Sequence, residues 1–81
     1  MKYIATFYSH FGAIRFQRIC KENKITSKLS PVPRDLSSSC GTCVYYDSLG
    51  NFLGENIPEE VEQIVEISDS GYVQIYKAEN S

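Results

Sequence analysis

Two thiols, Cys40 and Cys43, close a run that begins with two prolines and an arginine, Pro31-Val-Pro-Arg-Asp-Leu-Ser-Ser-Ser-Cys-Gly-Thr-Cys43. Cysteine acts as its thiolate, and a fixed positive charge, oriented N–H groups or a helix N-terminus favours that form. The run holds such helpers. Arg34 carries charge; Ser37, Ser38 and Ser39 carry hydroxyls and successive backbone N–H groups; Gly41 removes bulk beside the sulfur and permits unusual dihedrals. His10, the only histidine, adds a proton shuttle or a second positive group. The chemistry on offer is that of a nucleophilic thiol. Either Cys40 accepts a group on its sulfur, or Cys40 attacks and Cys43 resolves by thiol–disulfide exchange.

Other uses of the cysteines bound that reading. Cys20 lies where a helical pattern places an apolar face, and a free cysteine there behaves as a small hydrophobe. If the chain from Cys40 to Cys43 is extended, the two sit roughly 10 Å apart, beyond disulfide reach, whereas a tight turn at Gly41 closes the gap. Thioredoxin-like pairs open a helix, but this pair precedes Val44-Tyr45-Tyr46-Asp47. Zinc needs about four ligands, and a lone Cys-x-x-Cys with His10 is a weak set. No metal and no cofactor is expected.

The elements that must position the thiol follow from local pattern. Lys2 to Tyr8 is β-branched and aromatic and reads as a strand. Ser9 can cap a helix from about His10 to Asn23, with Ala13, Phe16, Ile19 and Cys20 on one side. Ile25 to Pro33 reads as an extended segment whose prolines confine it to a sheet edge or a strand's end. Thr42 to Asp47 is the next strand, and the glycines and asparagine of Leu49 to Asn56 mark a loop or hairpin-like excursion. A capping asparagine at Asn56, Pro58 in the first turn, Glu59 three residues past the cap, and Ile57, Val61, Ile64 and Val65 at helical spacing predict a second helix. Gly71 to Ala78 reads as the last strand. The six tyrosines fall mostly in strands, where packing accounts for them.

The predicted order, β-α-β-β-α-β, fits an α+β, ferredoxin-like two-layer sandwich: a four-stranded, mainly antiparallel sheet with two helices on one face. Strand three would lie between strands one and two. That layout brings Ser9, His10 and the first helix's N-terminus to the same rim as Arg34 and Cys40, and a helix N-terminus and a guanidinium both favour an anion.

Length and charge set the class. Eighty-one residues at 42% apolar content predict a single domain over residues 1–81. No apolar run approaches the roughly 18 residues of a membrane span, and the opening residues lack a secretory cleavage pattern. With an odd cysteine count as well, the expected address is cytoplasmic, without membrane association. The formal net charge of −2 conceals an asymmetry: residues 1–34 carry seven basic groups against Glu22 alone, and residues 35–81 nine acidic groups against Lys77. Either the two halves cancel within the molecule, or the basic half is a docking face for an acidic partner. Net acidity argues against nucleic-acid binding, and the third strand lacks the basic-Gly-aromatic pattern of RNA-recognition modules. An exposed edge at strand two or four leaves a homodimer open.

The stretch PVPRDLSSSCG, with the opening strand ending in Phe7 and Ala13 in the first helix, resembles a small bacterial family of selenium/sulfur carrier-like proteins. The resemblance covers residues 2–46 best. It implies a carrier, not a stand-alone enzyme, that holds sulfur or selenium on Cys40 as a persulfide-type adduct, with Arg34, Ser38, Ser39 and Gly41 as motif neighbours. Its implied partners are sulfur or selenium donor and acceptor proteins. Thr42 and Cys43 depart from the small or aliphatic residues usual after the family's Cys-Gly. A dithiol redox protein and a non-catalytic binding module of the same fold stay open as alternatives.

Overall fold

The computed structural model describes residues 1–48 and 57–78. Its elements, in chain order, are β1 (Lys2–Phe7), α1 (His10–Glu22), β2 (Ser27–Pro31), β3 (Thr42–Asp47), β4 (Val61–Ser68) and β5 (Gly71–Lys77). The strands form one sheet in the order β2-β3-β1-β4-β5, and every neighbouring pair is antiparallel. β1 is central and buried over five of its six residues, because α1 packs on one of its faces and Val32 and Leu36 on the other. Its Tyr3, Ala5 and Phe7 point to the helix side, and Ile4 to the other.

α1 starts where Ser9, in extended conformation, accepts a hydrogen bond from the Gly12 N–H. Gly12, Ala13, Phe16 and Cys20 face the sheet. The Phe16 ring lies 5.3 Å from Phe7 and 5.3 Å from Tyr46, and deleting a ring so enclosed costs about 3–5 kcal/mol. The helix ends in a Schellman motif: the Ile25 N–H reaches the Cys20 carbonyl and the Lys24 N–H the Lys21 carbonyl, while Ile25 packs against the core cluster that includes Cys20. The residue between, Lys24, sits at φ 59°, where glycine is the usual occupant.

The ferredoxin-like expectation fails in the second half. The described residues contain one helix and five strands, a mostly-β arrangement, and the segment read as a second helix is β4. The misleading feature is a β-bulge. Thr6 pairs with Gln63 and Phe7 with Val61, so Glu62 is an extra residue opposite β1. That insertion puts Val61 and Ile64 on the helix side of the sheet and leaves Val65 on the other, reproducing spacings of three and four that otherwise signal a helix. The helix-start signals yield only a turn, closed by a bond from the Val61 N–H to the Pro58 carbonyl. The β-branched Val61, Ile64, Val65 and Ile67 then continue as strand. Asn56, read as a cap, and the Leu49 to Asn56 loop lie outside the described residues.

In the first half β3 does lie between β1 and β2, and Pro31 falls at the end of the edge strand β2, where its missing donor does no harm. The chain approaching β4 runs close over the first turn of α1. A Cβ added at Gly12 would stand 2.3 Å from the Glu60 Cβ, so only glycine fits.

Two substitutions test these backbone constraints. Lys24→Gly relieves the left-handed residue and should raise unfolding free energy by about 1 kcal/mol in urea titration. Gly12→Ala must push Glu60 away and should lower it by about 1–3 kcal/mol by the same assay.

Candidate functional site

The chain between β2 and β3, residues 32–41, is a closed loop. The Val32 N–H bonds the Gly41 carbonyl across its neck, 3.1 Å, and Gly41 makes the closing bend at φ 74°, a conformation that favours glycine. Its Val32 and Leu36 pack on Ile4, Cys43 and Val65, the sheet face that α1 leaves bare. Residues whose ends meet and whose side chains form their own packed underside make an Ω-type loop.

Three sets of hydrogen bonds hold this loop to the far strands. Tyr72 of β5 donates to the Asp35 carboxylate, 3.1 Å. The Gln63 amide donates to the Ser37 carbonyl, 3.1 Å. Ser39 gives both its N–H and its hydroxyl to the Glu62 carboxylate, at 3.0 and 2.8 Å, and bonds to an ionised acceptor are the stronger kind. Ser38 reaches the Phe7 carbonyl at 3.5 Å. The residue that precedes the thiol is therefore held by the bulged residue of β4.

Cys40 follows at the rim where β1 leaves the sheet. Its side chain is partly buried against the helix-side core, and its thiol lies 3.4 Å from the Thr42 carbonyl. The Thr42 hydroxyl is 3.2 Å from Nδ1 of His10, on the first turn of α1. Thr42 thus links the thiol to the imidazole, and an open groove of about 260 Å³ lined by His10, Pro31, Gly41 and Thr42 lies alongside. The rim expected from the strand order gathers His10, Ser38, Ser39, Cys40 and Gly41. Ser9 is next to it, but its hydroxyl is engaged in capping α1. Ser37 contributes a carbonyl rather than its hydroxyl.

Arg34 is placed differently. It occupies an exposed turn closed by the Leu36 N–H on the Pro33 carbonyl, and among the described residues it has no ion-pair partner. Its side chain is exposed to solvent.

The other two thiols are fully buried. Cys20 fills the core beneath α1, and Cys43 lies under the loop between Ile4 and Val65. Burial pushes both thiols up to about 11, with the neighbouring Cys40 adding to the effect at Cys43. Cys40 and Cys43 therefore pack in separate apolar clusters. Among the described residues no three of His, Cys, Asp and Glu gather as metal ligands, and no helix is long and apolar enough to cross a membrane. Sequence reasoning missed Glu62, Gln63 and Thr42. The first two were hidden by the helical reading of β4, while a polar residue directly after Cys-Gly was a usable signal for Thr42.

No curated protein and no solved structure matches the chain. A family model described as "Putative Se/S carrier protein-like" matches residues 2–77, which takes in β4 and β5 as well as the cysteine loop. A match over nearly the whole chain places it: the protein belongs to this Se/S carrier-like family.

Proposed function

We propose that Cys40 is the carrier thiol, holding sulfur or selenium as a persulfide-type adduct for transfer to a partner protein. The observation that carries this reading is the contrast among the three cysteines. Cys40 alone is partly exposed, in a loop fixed on both sides, while Cys20 and Cys43 are buried. In the transfer step the Cys40 thiolate attacks the outer sulfur of a donor persulfide. A new S–S bond forms on Cys40, the donor's S–S bond breaks, and the donor leaves as a thiolate with the electron pair, so no net oxidation occurs. With selenium as the outer atom, an S–Se bond is exchanged in the same way. Transfer to an acceptor thiol reverses the roles.

The rigid hold on Ser39 supports this role by fixing where the sulfur stands. His10 stands at the same rim, its Nδ1 on the Thr42 hydroxyl while the Thr42 carbonyl accepts from the thiol. Arg34 on its exposed turn serves recognition of an anionic group. Cys43 acts as packing under the loop, and one thiol suffices for carriage.

Intact and peptide mass spectrometry after incubation with a small-molecule persulfide tests the assignment. The expected result is a gain of one sulfur mapped to Cys40, lost in Cys40→Ser and kept in Cys43→Ser. A gain that survives Cys40→Ser, or no gain in the wild-type protein, would overturn it. Iodoacetamide at neutral pH should likewise label Cys40 in the native protein, with Cys20 and Cys43 labelled only after unfolding in urea. Native labelling of Cys43 before Cys40 would contradict the reading.

A further inference from the structure

We propose that the groove between α1 and β2 docks an acidic segment of the protein that exchanges sulfur or selenium with Cys40. The inference rests on the carrier reading for what is exchanged, and on the surface itself for where the partner sits. α1 turns Gly12, Ala13, Phe16 and Cys20 inward, yet its outer side is not uniformly polar. Phe11 is 68% exposed and Ile14 45%. From Ile14 a groove of about 720 Å³ runs past Arg18, Lys21 and Lys24 to Ile25 and Ser27 at the start of β2. No aspartate or glutamate lines it.

Among the described residues no ion pair cancels the charge of this groove. Arg15 is the only cation of the helix with an ion-pair partner among the described residues, Glu60 at 2.9 Å. Arg18, Lys21 and Lys24 have none there. α1 packs chiefly on β1, β2 and β3, whereas Glu62 and Glu66 belong to β4, and Glu62 is engaged with Ser39.

Lys24 supplies a second, independent observation. It holds the left-handed position of the Schellman motif, where glycine costs less. The lysine at this position lines the groove and adds its charge to those of Arg18 and Lys21.

The groove is also oriented with respect to the thiol. The N-terminus of α1 meets the Cys40 rim through the contact of His10 with Thr42. Phe11 and Ile14 lie at that end, and the cations follow away from it, with Arg18 about 12 Å and Lys24 about 20 Å beyond His10 at the helical rise. A fitting occupant has one or two apolar side chains next to its own reactive sulfur and a row of carboxylates beyond. An acidic protein segment suits this better than a long polyanion, because the net charge of −2 and the acidic β4 side repel anything extending past the basic face.

The test is a titration of isotope-labelled protein with a synthetic peptide that carries a leucine pair followed by a run of glutamates, read by NMR shifts and fluorescence anisotropy. Expected are shift changes confined to α1 and residues 25–27, and affinity that falls as salt rises. Arg18→Glu with Lys21→Glu should weaken binding at least about tenfold, the equivalent of about 1.4 kcal/mol. Lys24→Gly should weaken it several-fold while the protein stays at least as stable, which separates lost docking from lost folding. Cys40→Ser should bind the peptide as the wild type does, so failed docking and failed sulfur loading are distinct results. The proposal falls if the glutamine version of the peptide binds equally, if the charge variants keep full affinity, or if the shifts map elsewhere. It falls equally if sedimentation shows a second copy of the chain occupying the groove, or if a single-stranded oligonucleotide binds there more tightly than the peptide.

Discussion

One extra residue in β4 organises the molecule. By standing Glu62 opposite no partner in β1, the chain sends Val61 and Ile64 together into the core under α1 and turns Val65 to the other face. The same insertion leaves Glu62 and Gln63, adjacent in sequence, both directed to the cysteine loop. Regular alternation would have put neighbouring side chains on opposite faces. The bulge therefore couples three things that the fold needs at once: a sealed helix side, a covered bare side and a fixed Ser39. Bulges raise local twist and re-aim side chains, and this one aims Glu62 at Ser39, the residue before Cys40.

The loop, for its part, does two jobs. Its underside, Val32 and Leu36, completes a second apolar cluster with Ile4, Cys43 and Val65, substituting for the helices that would cover this face in a three-layer protein. Its end presents Cys40 at the rim. Cys40 thus stands on a part of the chain whose underside the second apolar cluster requires to be ordered.

What the sequence disclosed and what it hid follow from the range of the forces involved. The capping of α1 by Ser9, its inward Ala13, Phe16 and Cys20, and the extended character of β1 and β3 are local, and each was readable. The placement of β3 between β1 and β2, and with it the meeting of His10 with the loop, followed from strand order. The nature of β4 was hidden because its hydrophobic spacing comes from pairing with a distant strand, and a bulge imitates helical periodicity. Arg34 lies in a turn, closed by the Leu36 N–H on the Pro33 carbonyl, that the prolines and serines of the motif announced as loop. The charge asymmetry was visible in the composition, yet only the packing of α1 against β1, β2 and β3 shows that the cations keep to their own surface.

The central position of β1 has a consequence for how the protein comes into being. Both of its neighbours, β3 and β4, follow it in the chain, so while the polypeptide is being synthesised the hub strand has nothing to pair with until β3 has emerged, and it is not paired on both sides until residues near Ser68 have followed. During that interval Cys20 and Cys43 are as open to electrophilic sulfur as Cys40, since the burial that silences them exists only once the sheet has closed. The difference in exposure among the three thiols is thus a property of the finished fold, and an unfinished chain has none.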